Sequence, residues 1–256
     1  PSLPSLLAAG ATKRPRVLHE QNAVLGRVNR MMAPRVDAVA VAYHNIQRYP
    51  AGHELKKHIT GNPVRDEIIA IREEGYPPLP EDGIVRLLVV GGSLGATVLS
   101  EVVPAAIAML PPALLSRLQV VQQCREADLE TVRAKYAELG VAAECAPYIT
   151  DFPERLRWAH LVIARAGAST VAELACAGRP AIFVPYPHAM DDHQTYNVVD
   201  LVQAGGAISF AQPDFTPAEV AKHIQRMALE PGALENAAGR AARCGLPDAT
   251  RDLADL

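Results

Sequence analysis

Three features that often point to a function are missing from this sequence: a long apolar run, a surplus of one charge and a close pair of cysteines. The longest apolar segment, "VVPAAIAMLPPALL" at 102–115, is interrupted by three prolines. A membrane-spanning helix needs roughly 18 uninterrupted apolar residues, so we expect no integral membrane segment.

The balance of charge gives no reason to expect a nucleic-acid partner. The chain has 25 Lys and Arg residues against 28 Asp and Glu residues, so it lacks the basic surplus typical of nucleic-acid binding or of a polybasic membrane anchor. Its cysteines are widely separated, which is typical of reduced, buried thiols in a cytosolic protein rather than of disulfides or a zinc site. They are Cys124, Cys145, Cys176 and Cys244.

The start of the chain has neither an initiator methionine nor a signal peptide. It begins at Pro1, and "PSLPSLLAAG" contains no basic flank and no cleavage site. We therefore expect the chain to be an internal piece of a larger protein.

Short β-rich runs alternate with helical patterns from residue 84 onward. Such alternation with short connections predicts a parallel sheet that is covered by helices on both faces, in one doubly wound domain. With 49% apolar residues in 256, the chain has enough material for a core of that size. The predicted strands are 85–90, 118–123, 141–145, 160–164, 180–184 and 207–210.

The first 62 residues follow the same pattern but contain too few elements to form a complete domain. A parallel sheet is normally buried on both faces, and one or two helices cannot cover it. We interpret this region as the second half of a domain, which "TGNPVR" at 60–65 connects to the next one. The predicted elements are a helix at 3–10, a strand at 16–19, a helix at 25–33, a strand at 38–43 and an extended segment at 57–63.

A glycine turn follows the first strand of the larger domain. In "LLVVGGSLGA" at 87–96 the glycines allow close approach of a ligand to the backbone, and the amides of the next helix could stabilise a phosphate. The spacing matches neither the dinucleotide fingerprint G-x-G-x-x-G nor a Walker A loop, which argues against a nicotinamide dehydrogenase. The motif alone leaves open a tight strand–helix turn without a ligand.

The segment "LVIARAGASTVAEL" at 161–174 repeats this strand, small-residue turn and helix. Two helix N-termini at the carboxyl edge of one sheet could both reach a diphosphate. We expect Glu173 in the first turn of this helix, where its carboxylate could accept bonds from both hydroxyls of a ribose. The alternative is that Ser169 or Thr170 caps the helix and Glu173 only complements the helix dipole.

Polar residues cluster in "VPYPHAMDDHQTYN" at 184–197. Gln194 and Asn197 offer the donors and acceptors that a hexose or an acetamido sugar requires. The alternative is a solvated loop in which Asp191 or Asp192 caps the next helix. Nothing places the acids and histidines of this loop on one helical face, so a metal site is not favoured.

A further polar cluster ends the first predicted strand, in "LHEQNAVLGRVNR" at 18–30. His19 and Glu20 could perform acid–base chemistry or hold a polar substrate. The alternatives are ordinary surface residues, with Asn22 as a helix cap.

Together with "TGNPVR" and the closing "LPDAT" at 246–250, these motifs resemble the MurG family of N-acetylglucosaminyltransferases, which convert lipid I to lipid II in bacterial peptidoglycan synthesis. The motifs occur in the family's order over nearly the whole chain. The resemblance implies an α/β fold of the B-type glycosyltransferase architecture, with two Rossmann-like doubly wound parallel-sheet domains, the first truncated. Residues 1–62 would be the C-terminal half of the acceptor-binding domain, 63–246 the UDP-sugar donor-binding domain, and 247–256 the start of a helix that returns to the first domain.

The resemblance also implies the contacts to UDP-N-acetylglucosamine. Ser93 would contact the diphosphate, Ile149 would bind uracil through its backbone, and Glu173 would hold the ribose. The helix amides at 168–170 would face the phosphates, and Gln194 would bind the sugar hydroxyls. The full implied set is Asn22, Arg65, Ser93, Ile149, Ala168, Ser169, Thr170, Glu173, Gln194 and Asn197.

The catalytic group is not identified, and the candidates on the acceptor side are His19, Glu20 and Asn22. The implied partners are UDP-N-acetylglucosamine, lipid I and the cytoplasmic membrane surface, to which the enzyme would bind peripherally, with no required cofactor or metal and no nucleic acid. The family's N-terminal glycine-rich loop, which ends in a histidine, is absent here. We therefore expect this chain to retain UDP recognition and to fail at transfer.

Two other functions remain open at this point. One is an enzyme like the UDP-N-acetylglucosamine 2-epimerases, which share this architecture and donor, although the "HEQNA" segment favours the transferase. The other is a UDP-sugar-binding module without catalysis.

Overall fold

The computed structural model of the protein describes residues 2–92 and 96–256. It contains two parallel β-sheets. The first has three strands in the order β1-β2-β3. These are β1 (Val17–Glu20), β2 (Ala38–Val41) and β3 (Lys57–Ile59).

The second sheet has six strands in the order β6-β5-β4-β7-β8-β9, all parallel. The strand order reverses between β4 and β7, so ligand-binding crevices of this fold class are expected outside the carboxyl ends of those two strands. The strands are β4 (Val85–Val90), β5 (Leu118–Gln123), β6 (Ala142–Ala146), β7 (Leu161–Ala164), β8 (Ala181–Phe183) and β9 (Ala207–Ser209).

Helices accompany both sheets. Those before and within the first sheet are α1 (Ser2–Ala11) and α2 (Arg27–Met32). Those of the second sheet are α3 (Asp66–Glu74), α4 (Thr97–Ile107), α5 (Pro112–Leu115), α6 (Leu129–Glu138), α7 (Phe152–Trp158), α8 (Ala168–Ala177), α9 (His193–Asn197), α10 (Val199–Ala204), α11 (Pro217–Leu229), α12 (Ala233–Cys244) and α13 (Ala249–Ala254). Within the described ranges, no helix combines the length and the apolar character that crossing a membrane requires.

Two apolar cores lie on opposite faces of the six-stranded sheet. Successive residues of β4 alternate between them, with Leu87 and Val89 in one core and Leu88 in the other. The first core packs against α4, α6 and α11, and the second against α3, α7 and α8. The predicted doubly wound α/β layer structure is therefore confirmed, and all six predicted strands occur within one or two residues of their predicted bounds.

A buried arginine anchors the end of α8. The helix stops at Gly178, which has a left-handed backbone (φ 62°), as glycine at a helix end commonly does. Arg179 follows with 1% of its surface exposed, and its guanidinium donates to the carbonyl oxygens of Leu156 (2.7 Å), Ala177 (2.8 Å) and Gly75 (3.3 Å). These bonds connect the C-terminal end of α8 to α7 and to the end of α3, and so fix the position of that end of the helix.

Candidate functional site

A cleft of about 850 Å³ opens at the carboxyl ends of β4 and β7, where the strand order reverses. This volume is in the range of small-molecule sites. Residues of the loops and helices that follow strands of both sheets form its walls. They include Gln21, Asn22, Gly91, Gly92, Thr97, Arg125, Arg165, Gly167, Ala168, Ser169, Thr170, Tyr186 and Gln194.

A second pocket, of about 190 Å³, adjoins the cleft at Gly92. Arg65, Tyr148, Ile149 and Phe152 contribute to its lining. The pocket therefore combines an arginine, two aromatic rings and the backbone of the segment that follows β6, which suits a flat heterocycle with polar edges.

The N-terminus of α8 faces the cleft without a side-chain cap. Gly167 precedes the helix in an extended conformation (φ −65°, ψ 144°) and makes no capping bond. The expectation that Ser169 or Thr170 caps this helix is wrong, because both lie inside it. The first amides of a helix have no partner within it, so the amides of residues 168–170 are available to an anion. Ser93, the other predicted phosphate contact, lies outside the described residues.

Glu173 lies in the second turn of α8, so the predicted first-turn position is wrong. Its Oε1 accepts bonds from Nη2 (2.9 Å) and Nε (3.2 Å) of Arg65, a residue 108 positions earlier. The Glu173 side chain is 15% exposed and that of Arg65 is 52% exposed. Burial raises the pKa of the Glu173 carboxyl, and Arg65 acts in the opposite direction. The structure thus pairs two of the predicted donor contacts.

Arg65 also connects this carboxylate with the second pocket. Its guanidinium carbon lies 5.9 Å from the centroid of the Phe152 ring, within cation–π range. The side chain therefore spans the distance between the ring-lined pocket and Glu173.

Gln194 is oriented by two backbone amides. Its Oε1 accepts bonds from the amides of Tyr186 (2.9 Å) and Ala166 (3.2 Å). Because the amide oxygen is used in this way, the Nε2 group is the end of the side chain that remains for a ligand in the cleft.

Asn197 is fully buried and does not line the cleft within the described part of the chain. Its Oδ1 accepts a bond from the amide of Ala23 (2.8 Å), and its Nδ2 donates to Oδ1 of Asn22 (3.2 Å) and to the carbonyl of Ala166 (3.1 Å). The side chain joins the loop after β1 to the loop after β7. The structure therefore places Asn197 behind Asn22, which does line the cleft.

His19 and Glu20 have structural partners instead of a place at the cleft. Nε2 of His19 lies 3.0 Å from the carbonyl oxygen of Gly61. Glu20 is 6% exposed, and its carboxylate accepts bonds from the amides of Asn22 (3.1 Å) and Gly26 (2.8 Å) and from Asn29 Nδ2 (2.9 Å). These bonds hold the loop that carries Asn22.

Two arginines at the cleft were missed by the sequence reasoning. Arg165 donates to the carbonyls of Val184 (3.0 Å) and Pro185 (3.1 Å) and lies 5.5 Å from the centroid of the Tyr186 ring. Arg125 forms a two-pronged pair with Asp128. Both arginines come within two residues of the end of a strand, and this position at the carboxyl edge was the available signal.

Charge is distributed unevenly between the two parts of the chain. Residues 1–62 contain nine Lys and Arg against three Asp and Glu, whereas residues 63–256 contain 16 against 25. The near-zero total therefore conceals a basic region and an acidic one, which the whole-chain argument overlooked.

Known proteins are similar to this chain over its whole length, and a family model matches its larger part. The family model "Glycosyltransferase family 28 C-terminal domain" matches residues 86–253. A protein of Sphingopyxis alaskensis is 91% identical over 256 residues, and one of Zymomonas mobilis is 58% identical. Both are named UDP-N-acetylglucosamine–N-acetylmuramyl-(pentapeptide) pyrophosphoryl-undecaprenol N-acetylglucosamine transferase. The alignments cover 100% of this chain but only 65% and 66% of those two proteins.

Solved structures give the same picture. MurG of Acinetobacter baumannii superposes with a TM-score of 0.82 at 33% identity, covering 99% of this chain and 70% of that one. A UDP-GlcNAc 2-epimerase of Neisseria meningitidis, solved with UDP-GlcNAc bound, gives 0.68 at 12% identity and covers 99% and 72%. The second similarity shows the fold alone.

Proposed function

This chain belongs to the MurG family of glycosyltransferases, and from that premise we propose that it carries the donor site of an enzyme that transfers N-acetylglucosamine from UDP-N-acetylglucosamine to lipid I. The acceptor would be the muramyl 4-hydroxyl, and the product lipid II. One observation carries the proposal. The cleft that the α8 amides face meets the ring-lined pocket at Gly92, and Arg65, which lines that pocket, is paired with Glu173.

These contacts favour one orientation of the donor in the cleft, from uracil at one end to the sugar at the other. Uracil would occupy the pocket of Ile149 and Phe152, and the ribose hydroxyls would bond to Glu173. The diphosphate would lie against the amides of residues 168–170, where the helix dipole favours an anion. The sugar would then reach Gln194 and Asn22.

The reaction would be an inverting displacement. The 4-hydroxyl oxygen of the acceptor forms a bond to the anomeric carbon while the bond from that carbon to the phosphate oxygen breaks. UDP leaves with the bonding electrons, and the α8 amides stabilise the charge that develops on it. This arrangement needs no metal. The hydroxyl proton must pass to a base on the acceptor side.

In this proposal His19 and Glu20 do not accept that proton. They hold the loop after β1 in place on the acceptor side of the cleft. Their bonds to Gly61 and to the 22–29 loop occupy them in structural roles. We assign Asn22 to the sugar, because it lines the cleft and is held from behind by Asn197.

The domain assignment follows from the same family. Residues 1–62 form the C-terminal half of the acceptor-binding domain, residues 63–246 the donor-binding domain, and residues 247–256 the start of the helix that returns to the first. The basic character of residues 1–62 supports contact of that side with an anionic membrane surface, as expected for a peripheral enzyme at the cytoplasmic face of the inner membrane.

A 2-epimerase is less well supported. The epimerase structure resembles this chain at 12% identity, whereas the transferase relatives reach 91% and 58%. The other candidate is a UDP-sugar-binding module without catalysis, which would bind the donor in the same cleft and not transfer the sugar.

Calorimetric titration tests the donor site. We expect UDP-N-acetylglucosamine to bind saturably and Glu173→Ala to weaken binding by about 1–3 kcal/mol, the range for losing hydrogen bonds to a charged group. Glu138→Ala, at the exposed end of α6, is the matched control and should leave binding unchanged. ADP-glucose is the control ligand.

The outcomes separate the functions. Binding of the sugar nucleotide that is indifferent to Glu173 would contradict the ribose assignment, and absence of binding would contradict the donor site itself. Incubation with lipid I distinguishes the transferase from a binding module, because only the former releases UDP and forms lipid II.

A further inference from the structure

The carboxylate of Asp191 connects the loop between β8 and α9 to residues 1–62, the region of the three-stranded sheet. Asp191 follows β8, and both cations that it contacts belong to residues 1–62. Its Oδ1 lies 2.5 Å from Nη1 of Arg48, and its Oδ2 lies 3.5 Å from Nη2 of Arg30. The Asp191 side chain is 16% exposed, against 29% for Arg30 and 47% for Arg48. Each carboxylate oxygen is thus paired with a different arginine.

The backbone at this point is held in an unfavourable conformation. Asp191 has φ 55° and ψ 22°, and Asp192 has φ 55° and ψ 29°, so two consecutive non-glycine residues are left-handed. Such conformations persist only where the surrounding contacts impose them. The two ion pairs of Asp191 are contacts of this kind, and both join the segment to residues 1–62.

The helix that follows carries the proposed sugar contact. Helix α9 begins two residues after Asp191, and Gln194 is its second residue. Asn197, the last residue of α9, is bonded to Asn22 and Ala23 of the other region. The short helix is therefore attached to residues 1–62 at both ends, by an ion pair before its start and by a buried amide at its end.

We propose that Asp191 is a positioning residue for the donor sugar, whose ion pairs with Arg48 and Arg30 fix α9 so that Gln194 and Asn22 face the same hexose. This inference rests on the proposed function, because it assumes a UDP-sugar in the cleft. An isolated surface ion pair contributes little. Asp191 differs because it serves two cations, which would repel each other without it.

The test compares affinities for UDP-N-acetylglucosamine and for UDP, since their ratio isolates the contribution of the sugar. We expect Asp191→Asn to weaken binding of the sugar nucleotide by about tenfold, as small displacements of positioning groups do, and to change UDP affinity by less than about twofold. Arg48→Gln should reproduce part of this effect, because it removes one of the two ion pairs of Asp191 and leaves the pair with Arg30. Because Arg48 is exposed, its replacement leaves the core intact.

The double variant and a matched control complete the experiment. Asp191→Asn combined with Arg48→Gln should weaken sugar-nucleotide binding no more than Asp191→Asn alone, because the Asp191 change already removes the ion pair with Arg48. Asp192→Asn makes the same kind of change at a neighbouring left-handed residue, but the Asp192 carboxylate accepts its bond from Oγ1 of Thr195 in α9 (2.7 Å) and so does not link α9 to residues 1–62. It should leave both affinities within about twofold of wild type.

Two results would overturn the inference alone. One is an Asp191→Asn protein that keeps the wild-type ratio of the two affinities. The other is an Asp192→Asn protein that loses as much as Asp191→Asn, which would indicate a local effect on the loop. A wild-type chain that binds neither nucleotide would overturn the proposed function as well, so the two failures are distinguishable.

Discussion

The two sheets of this molecule are built on the same parallel plan but differ in how completely they are buried. The six-stranded sheet has a core on each face, whereas the three-stranded sheet has one small core, and its outer strand β3 is mostly exposed. The first is acidic overall and the second basic. The cleft follows this difference: β4 and β7, at whose carboxyl ends it opens, belong to the sheet that is buried on both faces, and the smaller region contributes one wall.

The largest expected effect comes from separating the two regions, because this tests whether each one folds without the other. We expect residues 63–256 alone to unfold cooperatively on heating, because both of their cores are retained. We expect residues 1–62 alone to remain largely unfolded or to associate, since a small parallel sheet with exposed edges is marginal in water. Circular dichroism on heating measures both. A cooperative, monomeric transition of residues 1–62 would show that the smaller sheet is self-sufficient.

A buried cation gives the next largest effect. Arg179 lies in the six-stranded region with 1% exposure, whereas every Lys and Arg of residues 2–62 is at least partly exposed. Burial lowers the pKa of Arg179 to about 10, so it stays charged at neutral pH. We expect Arg179→Ala to lower the free energy of unfolding by about 2–5 kcal/mol, because it leaves a cavity and unpaired carbonyls.

Denaturant titration measures this loss. The control is Arg155→Ala, which removes ion pairs to Asp151 and Glu144 near the surface and should cost less than about 1 kcal/mol. Equal losses in the two variants would contradict the role of Arg179 as an anchor for α8.

A buried histidine should make the stability of the six-stranded region depend on pH. His160 is 1% exposed, and its Nδ1 accepts a bond from the amide of Arg86 (3.1 Å), which requires an unprotonated nitrogen. Burial, with the nearby positive charge of Arg86, lowers its pKa to about 4. Between that value and the ordinary value of about 6.5, the unfolded chain binds a proton that the folded chain excludes. Stability therefore falls as the pH is lowered through this range.

We expect this histidine to contribute about 2 kcal/mol to the decrease in the free energy of unfolding between pH 7 and pH 4.5. Denaturant titrations of His160→Gln at the two pH values should show a correspondingly smaller decrease. His58→Gln, at an exposed position of β3, is the control from the smaller region and should follow the wild type. A His160→Gln protein with the wild-type pH dependence would contradict the assignment.

The sequence predicts the parts of the site that depend on local pattern. Strand positions, the two small-residue turns and the cleft at the carboxyl edge follow from periodicity and glycine placement. Three features do not, because they need contacts between distant residues: the pairing of Glu173 with Arg65, the burial of Asn197 behind Asn22, and the three bonds that hold Glu20. The position of the helix cap was predicted two or three residues too late because Gly167, without a capping side chain, gives a weaker signal than Ser169 or Thr170.

The smallest expected effect concerns the border between the two regions, where Arg65 precedes α3. Its side chain is 52% exposed, so Arg65→Gln should change the free energy of unfolding by less than about 1 kcal/mol. Its effect on Glu173 is electrostatic: because Arg65 opposes the burial that raises the pKa of this carboxyl, the pKa should rise further in the variant. Titration of the Glu173 carboxyl by carbon NMR measures this directly. Arg72→Gln, inside helix α3 and bonded to the carbonyl of Ala242, is the control. An unchanged pKa of Glu173 in Arg65→Gln would contradict the electrostatic coupling between these two side chains and leave burial as the cause of the shift.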